Sequence, residues 1–100
     1  MATVALYCRD LLFGSKVEGA LRAAGHEVAR PGEAADLAVV DLNEDSLEWP
    51  EDGAVPRLGF YSHTDQETRR RADEAGFDLV VPRSRMHREG PALVEKLLAR

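Results

Sequence analysis

The sequence predicts an α/β fold built on a doubly wound parallel sheet, and three observations lead to this prediction. Short apolar runs of strand length alternate with segments of helical periodicity. Several of these runs end directly in polar residues, as strands do at the carboxyl edge of a parallel sheet. The chain has 100 residues, 44% of them apolar, which suits a single domain over residues 1–100 with one modest core. The expected strand order is 2-1-3-4-5.

The first strand and the first helix have the clearest patterns. Residues 4–8 form an apolar run of strand length. Residues 12–24 place their apolar side chains on one helical stripe, and Gly25 follows as a stop in the left-handed conformation. We therefore expect a complete strand-helix unit at the N-terminus, with Arg9 and Asp10 in the connecting turn.

The second and third crossovers are expected to lack full helices. A short strand is predicted at residues 26–29, and a proline-glycine pair breaks the chain soon after it. Few residues then remain before the third strand, residues 37–40, which Asp41 closes. Residues 43–54 are acidic and are interrupted by proline and glycine, so that crossover should hold about one turn. Within it, we expect Trp49 to cover sheet surface that a missing helix leaves bare.

Two more strands and a terminal helix are expected in the second half of the chain. Residues 57–61 and 79–81 are apolar runs that fit the fourth and fifth strands. Gly90 and Pro91 are predicted to begin the last helix, because proline suits a first helical position. The leucines and the valine that follow would pack this helix on the sheet.

The helix between the last two strands is expected to be exposed. Thr64 and Glu67 form a capping-box pattern at its start, and Gly76 marks its end. Its body is almost entirely polar, and only Ala72 and Ala75 suit an inward position. This helix should therefore offer a polar surface to solvent or to a partner.

Polar residues follow four of the predicted strands. If the strands are parallel neighbours, Asp10, Asp41, Ser62 and Arg83 converge on one small surface at the carboxyl edge of the sheet. Simpler roles are also open for three of them, and Ser62 could only bond the local backbone. Asp41 could only cap the turn after its strand, and Asp10 could only serve the first helix, whose dipole favours an acid at the N-terminus.

Composition excludes several classes of function. Cys8 is the single cysteine, so no intramolecular disulfide forms, and no Cys/His cluster has zinc-ligand spacing. No apolar stretch approaches the roughly 18 residues of a membrane span, and the first residues carry no secretion signal. We therefore expect a cytoplasmic protein with no membrane partner.

The order of these motifs resembles that of the receiver domains of two-component response regulators. Residues 36–43 are similar to the strand that bears the phospho-accepting aspartate of that family. Residues 56–62 resemble the strand that ends in its switch hydroxyl, and residues 72–81 resemble the passage into its last strand. The resemblance covers nearly the whole chain. It implies a three-layer, flavodoxin-like (receiver-like) fold and a role in signal transduction without catalysis.

The resemblance also assigns roles to individual residues. It makes Asp41 the phospho-acceptor, gives Mg²⁺ a backbone carbonyl ligand at Asn43, and makes Ser62 the hydroxyl that moves toward the phosphoryl group. Two departures stand against an active site. Only Asp10 follows the first strand where receivers have two acids, and Arg83 takes the position of a lysine.

These departures predict a degenerate receiver, or pseudo-receiver. We expect an Arg83–Asp41 ion pair that imitates a permanently closed site. We expect no cofactor, with Mg²⁺ bound only if the phosphorylation site is functional. The alternative within the same family is an active receiver that is phosphorylated on Asp41.

An interaction face is expected on the polar helix and the last strand. Its candidate residues are Arg69, Arg70, Arg71, Arg85 and Arg88. In receivers this face binds effectors or a second copy, so a protein partner or a homodimer is predicted. Nucleic acid is a weaker interpretation of the same arginines, since the net charge is -5 and no aromatic stacking surface is evident.

A different class of function would use Cys8 as a phosphocarrier or phosphatase nucleophile. Such sites cradle phosphate with a loop rich in Gly and Ser. The loop after Cys8 instead contains Asp10, whose charge would repel phosphate, and Gly14 stands where the phosphatase pattern needs arginine. This interpretation stays open but is not favoured.

Overall fold

The computed structural model describes residues 2–43, 55–62 and 66–99, and it contains one five-stranded sheet in which all pairings are parallel. The strands are β1 (Thr3–Tyr7), β2 (Glu27–Ala29), β3 (Leu37–Asp41), β4 (Arg57–Tyr61) and β5 (Leu79–Pro82). The helices are α1 (Leu11–Ala23), α2 (Gln66–Ala75) and α3 (Arg83–Leu98). The strand order is β2-β1-β3-β4-β5, as the sequence predicts.

Successive side chains of a strand point to opposite faces of the sheet, so the core is divided between the two faces. On one face, α1 and α3 pack against strand residues such as Val39 and Phe60, and this is the larger cluster. On the other face, Tyr7, Val40 and Ala72 belong to a smaller cluster. The larger cluster explains why α1 and α3 sit firmly on the sheet, since burial of apolar surface is the main stabilising term.

The connection between β2 and β3 contains a turn and no helix, as its proline-glycine pair predicts. Gly32 adopts a φ of 88°, a left-handed conformation that glycine tolerates at low cost. The second crossover is therefore shortened as expected. The predicted single turn at residues 46–49, with Trp49, and the predicted capping residue Thr64 lie outside the described residues.

The prediction that Gly90 and Pro91 begin the last helix is wrong. α3 starts at Arg83, directly after β5, and Pro91 lies inside it. Proline removes one helical hydrogen bond, and it normally crowds the residue before it. Gly90 has no Cβ to be crowded and is buried against Met86, so packing on the sheet carries the helix through this position.

The polar helix α2 is mostly exposed, as predicted, but its buried positions differ in one respect. Ala72 is fully buried and Ala75 is partly buried, whereas Thr68, which was expected to face outward, is only 7% exposed. The surface that α2 offers is therefore formed by its charged side chains.

Arg57 is a buried cation at the amino end of β4 that the sequence pattern does not reveal. Its side chain is 1% exposed, its guanidinium lies 4.6 Å from the centre of the Phe77 ring, and it donates to the carbonyl of Ala75. The backbone N–H of Arg57 donates to the Asp78 carboxylate at 2.8 Å. These contacts join the end of α2 to the sheet. They also provide the partners that a buried charge requires.

No helix within the described residues is long and apolar enough to cross a membrane.

Candidate functional site

Asp41 ends β3 at the carboxyl edge of the sheet and is only 9% exposed. Its Oδ1 accepts a hydrogen bond from the backbone N–H of Asn43 at 3.1 Å, so the carboxylate does cap the following turn. Cys8 and Asp41 share a face with the buried cluster under α1 and α3, since side chains alternate along a strand. Accordingly, the Cys8 sulfur lies 4.0 Å from Asp41 Oδ2.

Asp10 is the N-cap residue of α1. Its Oδ1 accepts a hydrogen bond from the backbone N–H of Phe13 at 3.0 Å, and its Oδ2 accepts one from the guanidinium of Arg83. The Phe13 N–H and the Arg83 guanidinium lower the pKa of this carboxyl group below its ordinary value. Both oxygens of Asp10 are therefore engaged by donors within the protein.

Arg83 does not form the expected ion pair with Asp41. Its guanidinium pairs with Asp10 and lies 4.1 Å from the centre of the Phe13 ring. The Phe13 ring in turn packs on Phe60 of β4, with 5.1 Å between the ring centres. The reason is geometric: α3 begins at Arg83 itself, so the side chain extends toward α1, where an aromatic face and a carboxylate both favour a guanidinium.

Cys8 follows β1 and has a neutral thiol. The sulfur donates to the backbone carbonyl of Asp10 at 3.6 Å. Burial raises the pKa of the Cys8 thiol above its ordinary value, and the negative charges of Asp41 and Asp10 act in the same direction. Because the thiolate is the nucleophile, this environment does not favour a Cys8 phosphocarrier or phosphatase.

Asn43 and Ser62 lie together across the ends of β3 and β4. The Ser62 hydroxyl donates to Asn43 Oδ1 at 3.1 Å, and the Ser62 backbone N–H donates to the same oxygen. The structure thus places the candidate switch hydroxyl of Ser62 next to Asn43, two positions after Asp41. The contact holds the two turns in a fixed relation.

The residues at this edge fit a Mg²⁺ ion poorly. Mg²⁺ requires oxygen ligands in octahedral geometry. The turn after β1 here offers the thiol of Cys8 and the carboxylate of Asp10, whose two oxygens are already engaged. Among residues 2–43, 55–62 and 66–99, no three His, Cys, Asp or Glu side chains are close enough to hold one metal ion.

The candidate interaction residues are separate and locally paired. Arg70 pairs with Glu67 and Glu74 along α2, with 2.7 Å between Arg70 Nη1 and Glu74 Oε1. On α3, Arg85 and Arg88 both approach Glu89, at 3.3 and 3.9 Å. Arg71 is partly buried, and the position of the Arg69 side chain is not described. Local pairing reduces the positive field that a nucleic acid would require.

Phe13 is a site residue that the sequence reasoning counted only as core. Its place just after the N-cap of α1 is the signal that could have revealed its role, since the first turn of this helix lies at the edge where the strands end. Leu11 and Leu12 of the same turn are 83% and 79% exposed. They add apolar surface beside the polar edge.

Comparison with known proteins supports the fold. No protein-family model and no curated protein matches the sequence of this chain. Solved receiver domains do match its structure. The receiver domain of the Francisella response regulator 1452 has a TM-score of 0.81 at 13% identity, covering 100% of this chain and 98% of that one.

Two further structures give the same result. A response regulator receiver protein from Burkholderia phymatum has a TM-score of 0.78 at 17% identity, over 99% of this chain and 96% of that one. A response regulator receiver domain protein from Methanospirillum hungatei has a TM-score of 0.79 at 13% identity, over 99% and 94%. The chain therefore has the flavodoxin-like fold of response-regulator receiver domains.

Proposed function

We propose that this protein is a non-catalytic signalling or protein-interaction module of the cytoplasm, with a receiver fold and a degenerate phosphorylation site. The observation that carries the proposal is the pairing of Asp10 with Arg83 beside the thiol of Cys8. Cys8 stands where receivers carry an acid, and the one acid of this turn is engaged. The receiver fold supports the signalling class, and the site chemistry supports the loss of phosphorylation.

Phosphoryl transfer relies on positioning and on electrostatic stabilisation of the transferred group. Asp41 retains the position of a phospho-acceptor at the end of β3. Among the described residues after β1, Cys8 carries a thiol and Asp10 is bound to α1 and α3, so neither offers a free oxygen ligand beside Asp41. A cationic guanidinium at Arg83 cannot replace such a ligand, since it attracts anions but does not coordinate a metal ion.

A protein partner is the expected ligand of this module. The exposed charges of α2 and of α3 could pair with complementary charges on a partner or on a second copy. Leu11 and Leu12 provide exposed apolar surface at the carboxyl edge, and adjacent exposed leucines suit contact with protein. The module would then transmit a signal through docking and not through its own phosphorylation.

Intact-mass analysis after incubation with acetyl phosphate and Mg²⁺ tests the degenerate site. The expected result is no added phosphoryl group on the wild-type chain. A receiver domain known to be active, treated in parallel, controls for the phosphodonor. Addition of one phosphoryl group that is lost in Asp41→Asn would contradict the proposal and would establish the alternative, an active receiver that uses Asp41.

A further inference from the structure

We propose that the guanidinium of Arg83 is a fixed positive charge at the carboxyl edge of the sheet, and that its ion pair with Asp10 keeps divalent cations away from Asp41. This inference deepens the proposed function and rests on it for the role of the edge. It assigns the loss of metal binding to one specific contact between α1 and α3. The change from a carboxylate to Cys8 is then a contributing factor and not the whole cause.

The carboxylate of Asp10 is held from two directions. The backbone N–H of Phe13 binds Oδ1, and Arg83 binds Oδ2. A metal ion at this carboxylate would have to displace the guanidinium or share an oxygen with it. Either arrangement brings a divalent cation close to a fixed positive charge, which the Coulomb repulsion between them disfavours.

Arg83 is well placed to remain where it is. Its backbone is fixed, because β5 ends at Pro82 and α3 begins at the next residue. Its guanidinium lies on the Phe13 ring, and that ring is 8% exposed and packed on Phe60.

The charge around Asp41 also fits this inference. Asp10 and Asp41 supply two carboxylates at this edge, and the guanidinium of Arg83 pairs with that of Asp10. Cys8 contacts both residues and contributes no charge while its thiol is protonated. Removing the charge of Arg83 would leave Asp10 without its guanidinium partner, and carboxylate oxygens are the ligands that a hard cation prefers.

The test is binding of Mn²⁺ alone, followed by the electron paramagnetic resonance signal of the free ion. Wild type is expected to show no saturable site at millimolar concentrations. Arg83→Gln is expected to gain a saturable Mn²⁺ site with an affinity at least about tenfold above the wild-type detection limit, since a repelling charge is removed. Arg85→Gln is the matched control, because it removes one arginine from the same helix that pairs with Glu89 and not with Asp10.

A second substitution shows which carboxylate receives the ion. Asp10→Asn in the Arg83→Gln background should abolish the gain, and asparagine is as good an N-cap as aspartate, so α1 keeps its cap. Arg83→Lys gives an independent variant, because lysine lacks the planar group that stacks on Phe13. Its affinity should rise by less than that of Arg83→Gln. If Arg83→Gln does not fold, as judged by circular dichroism, the Mn²⁺ affinity of Arg83→Lys alone tests whether a change at Arg83 strengthens binding.

Unchanged Mn²⁺ affinity in the folded Arg83 variants overturns the inference, and so does a saturable wild-type site of submillimolar affinity that Asp41→Asn removes. An equal gain in Arg85→Gln overturns it as well, since the effect would then be one of overall charge. These outcomes are separate from the fate of the proposed function. A wild-type chain that stays unphosphorylated while the variants gain no affinity removes this inference alone.

Discussion

Arg83, the first residue of α3, is paired with Asp10, the N-cap residue of α1, across 73 positions of the chain. The two helices cover the same face of the sheet, so the contact joins them at the edge where β3 ends. It also uses a residue that already stabilises the start of α1. This double role of Asp10 makes its carboxylate a sensitive point for both stability and pH dependence.

The first prediction concerns acid. The pKa of Asp10 is lowered in the folded protein from the ordinary value of 3.8, first by the Phe13 N–H and then by Arg83. The folded state therefore favours the ionised form. The resulting stability is present above pH 3.8 and is lost as the pH falls through the lower folded-state pKa. Urea unfolding across the acidic range should show Asp10→Asn losing less stability than wild type as the pH falls.

The control for this prediction is Asp73→Asn, which removes an exposed carboxylate from α2. Its acid profile should follow that of wild type. If Asp10→Asn also follows wild type, Asp10 is not held ionised by these donors. Because Asp10 is exposed, salt should weaken the part of the effect that comes from Arg83.

The second prediction concerns the reactivity of Cys8. Burial and the nearby carboxylates raise the pKa of its thiol above the ordinary value of 9.0. Alkylation by iodoacetamide at neutral pH should therefore be slower than that of a small free thiol, because the thiolate is the reacting species. Asp41→Asn removes one of the negative charges and should shift the pH profile of alkylation toward lower pH.

The same raised pKa has a consequence for stability. The folded state favours the neutral thiol, so this stability is complete below pH 9.0 and is lost as the pH rises through the folded-state pKa. Cys8→Ser should flatten the alkaline side of the stability profile. Rapid alkylation of the wild-type protein at neutral pH would instead show a reactive thiolate, and the Cys8 phosphocarrier interpretation would gain support.

The third prediction concerns close packing in β4. A Cβ atom added at Gly59 would lie 2.7 Å from Leu42 Cδ1 and 3.0 Å from the Phe77 ring. Gly59→Ala should therefore lower the free energy of unfolding by about 1–3 kcal/mol through overpacking. Gly19→Ala in α1 is the matched control, since nothing lies within 4 Å of its added Cβ. It should raise stability by roughly 0.5–1 kcal/mol.

Chemical denaturation of both variants measures these changes in the free energy of unfolding. If Gly59→Ala is as stable as wild type, Leu42 and Phe77 can move apart and the second core cluster is loosely packed. If Gly19→Ala is destabilising, its position on the exposed side of α1 is wrong.

The sequence was sufficient for the sheet but not for contacts between distant elements. Strands were predictable because buried parallel strands are apolar runs, and polar residues such as Asp41 and Ser62 mark their ends. The start of α3 was not predictable, because Gly90 and Pro91 indicate a helix boundary by local pattern, and packing on the sheet overrides that preference. The local sequence pattern therefore predicted the order of the strands and helices more reliably than the residues at which they begin and end.

The candidate site shows the same division. Its members could be listed from the ends of the predicted strands, yet the sequence assigned Arg83 to Asp41 and the structure pairs it with Asp10. The choice depends on the ring of Phe13, and hence on how α1 packs against α3. Arg57 was missed for a similar reason, since its burial depends on Phe77 and on the end of α2.

The fourth prediction concerns the arginines of α2. Reversing the charges of Arg69, Arg70 and Arg71 together should leave the fold intact, because small buried residues such as Ala72 anchor the helix. Self-association, measured by analytical ultracentrifugation, or capture of a partner should weaken. The triple variant loses the Arg70 pairs with Glu67 and Glu74, so its helix content needs checking by circular dichroism.

Leu21→Ala provides the contrast. Leu21 of α1 is fully buried, and its truncation should cost about 2–5 kcal/mol while leaving the surface charges unchanged. A second reversal, at Arg85 and Arg88, separates the α3 surface from that of α2, because both of those residues approach Glu89 and not α2. If the α2 variant unfolds, or if it associates as wild type does, α2 is not the interaction face. If only the α3 variant loses association, the contact surface lies on α3.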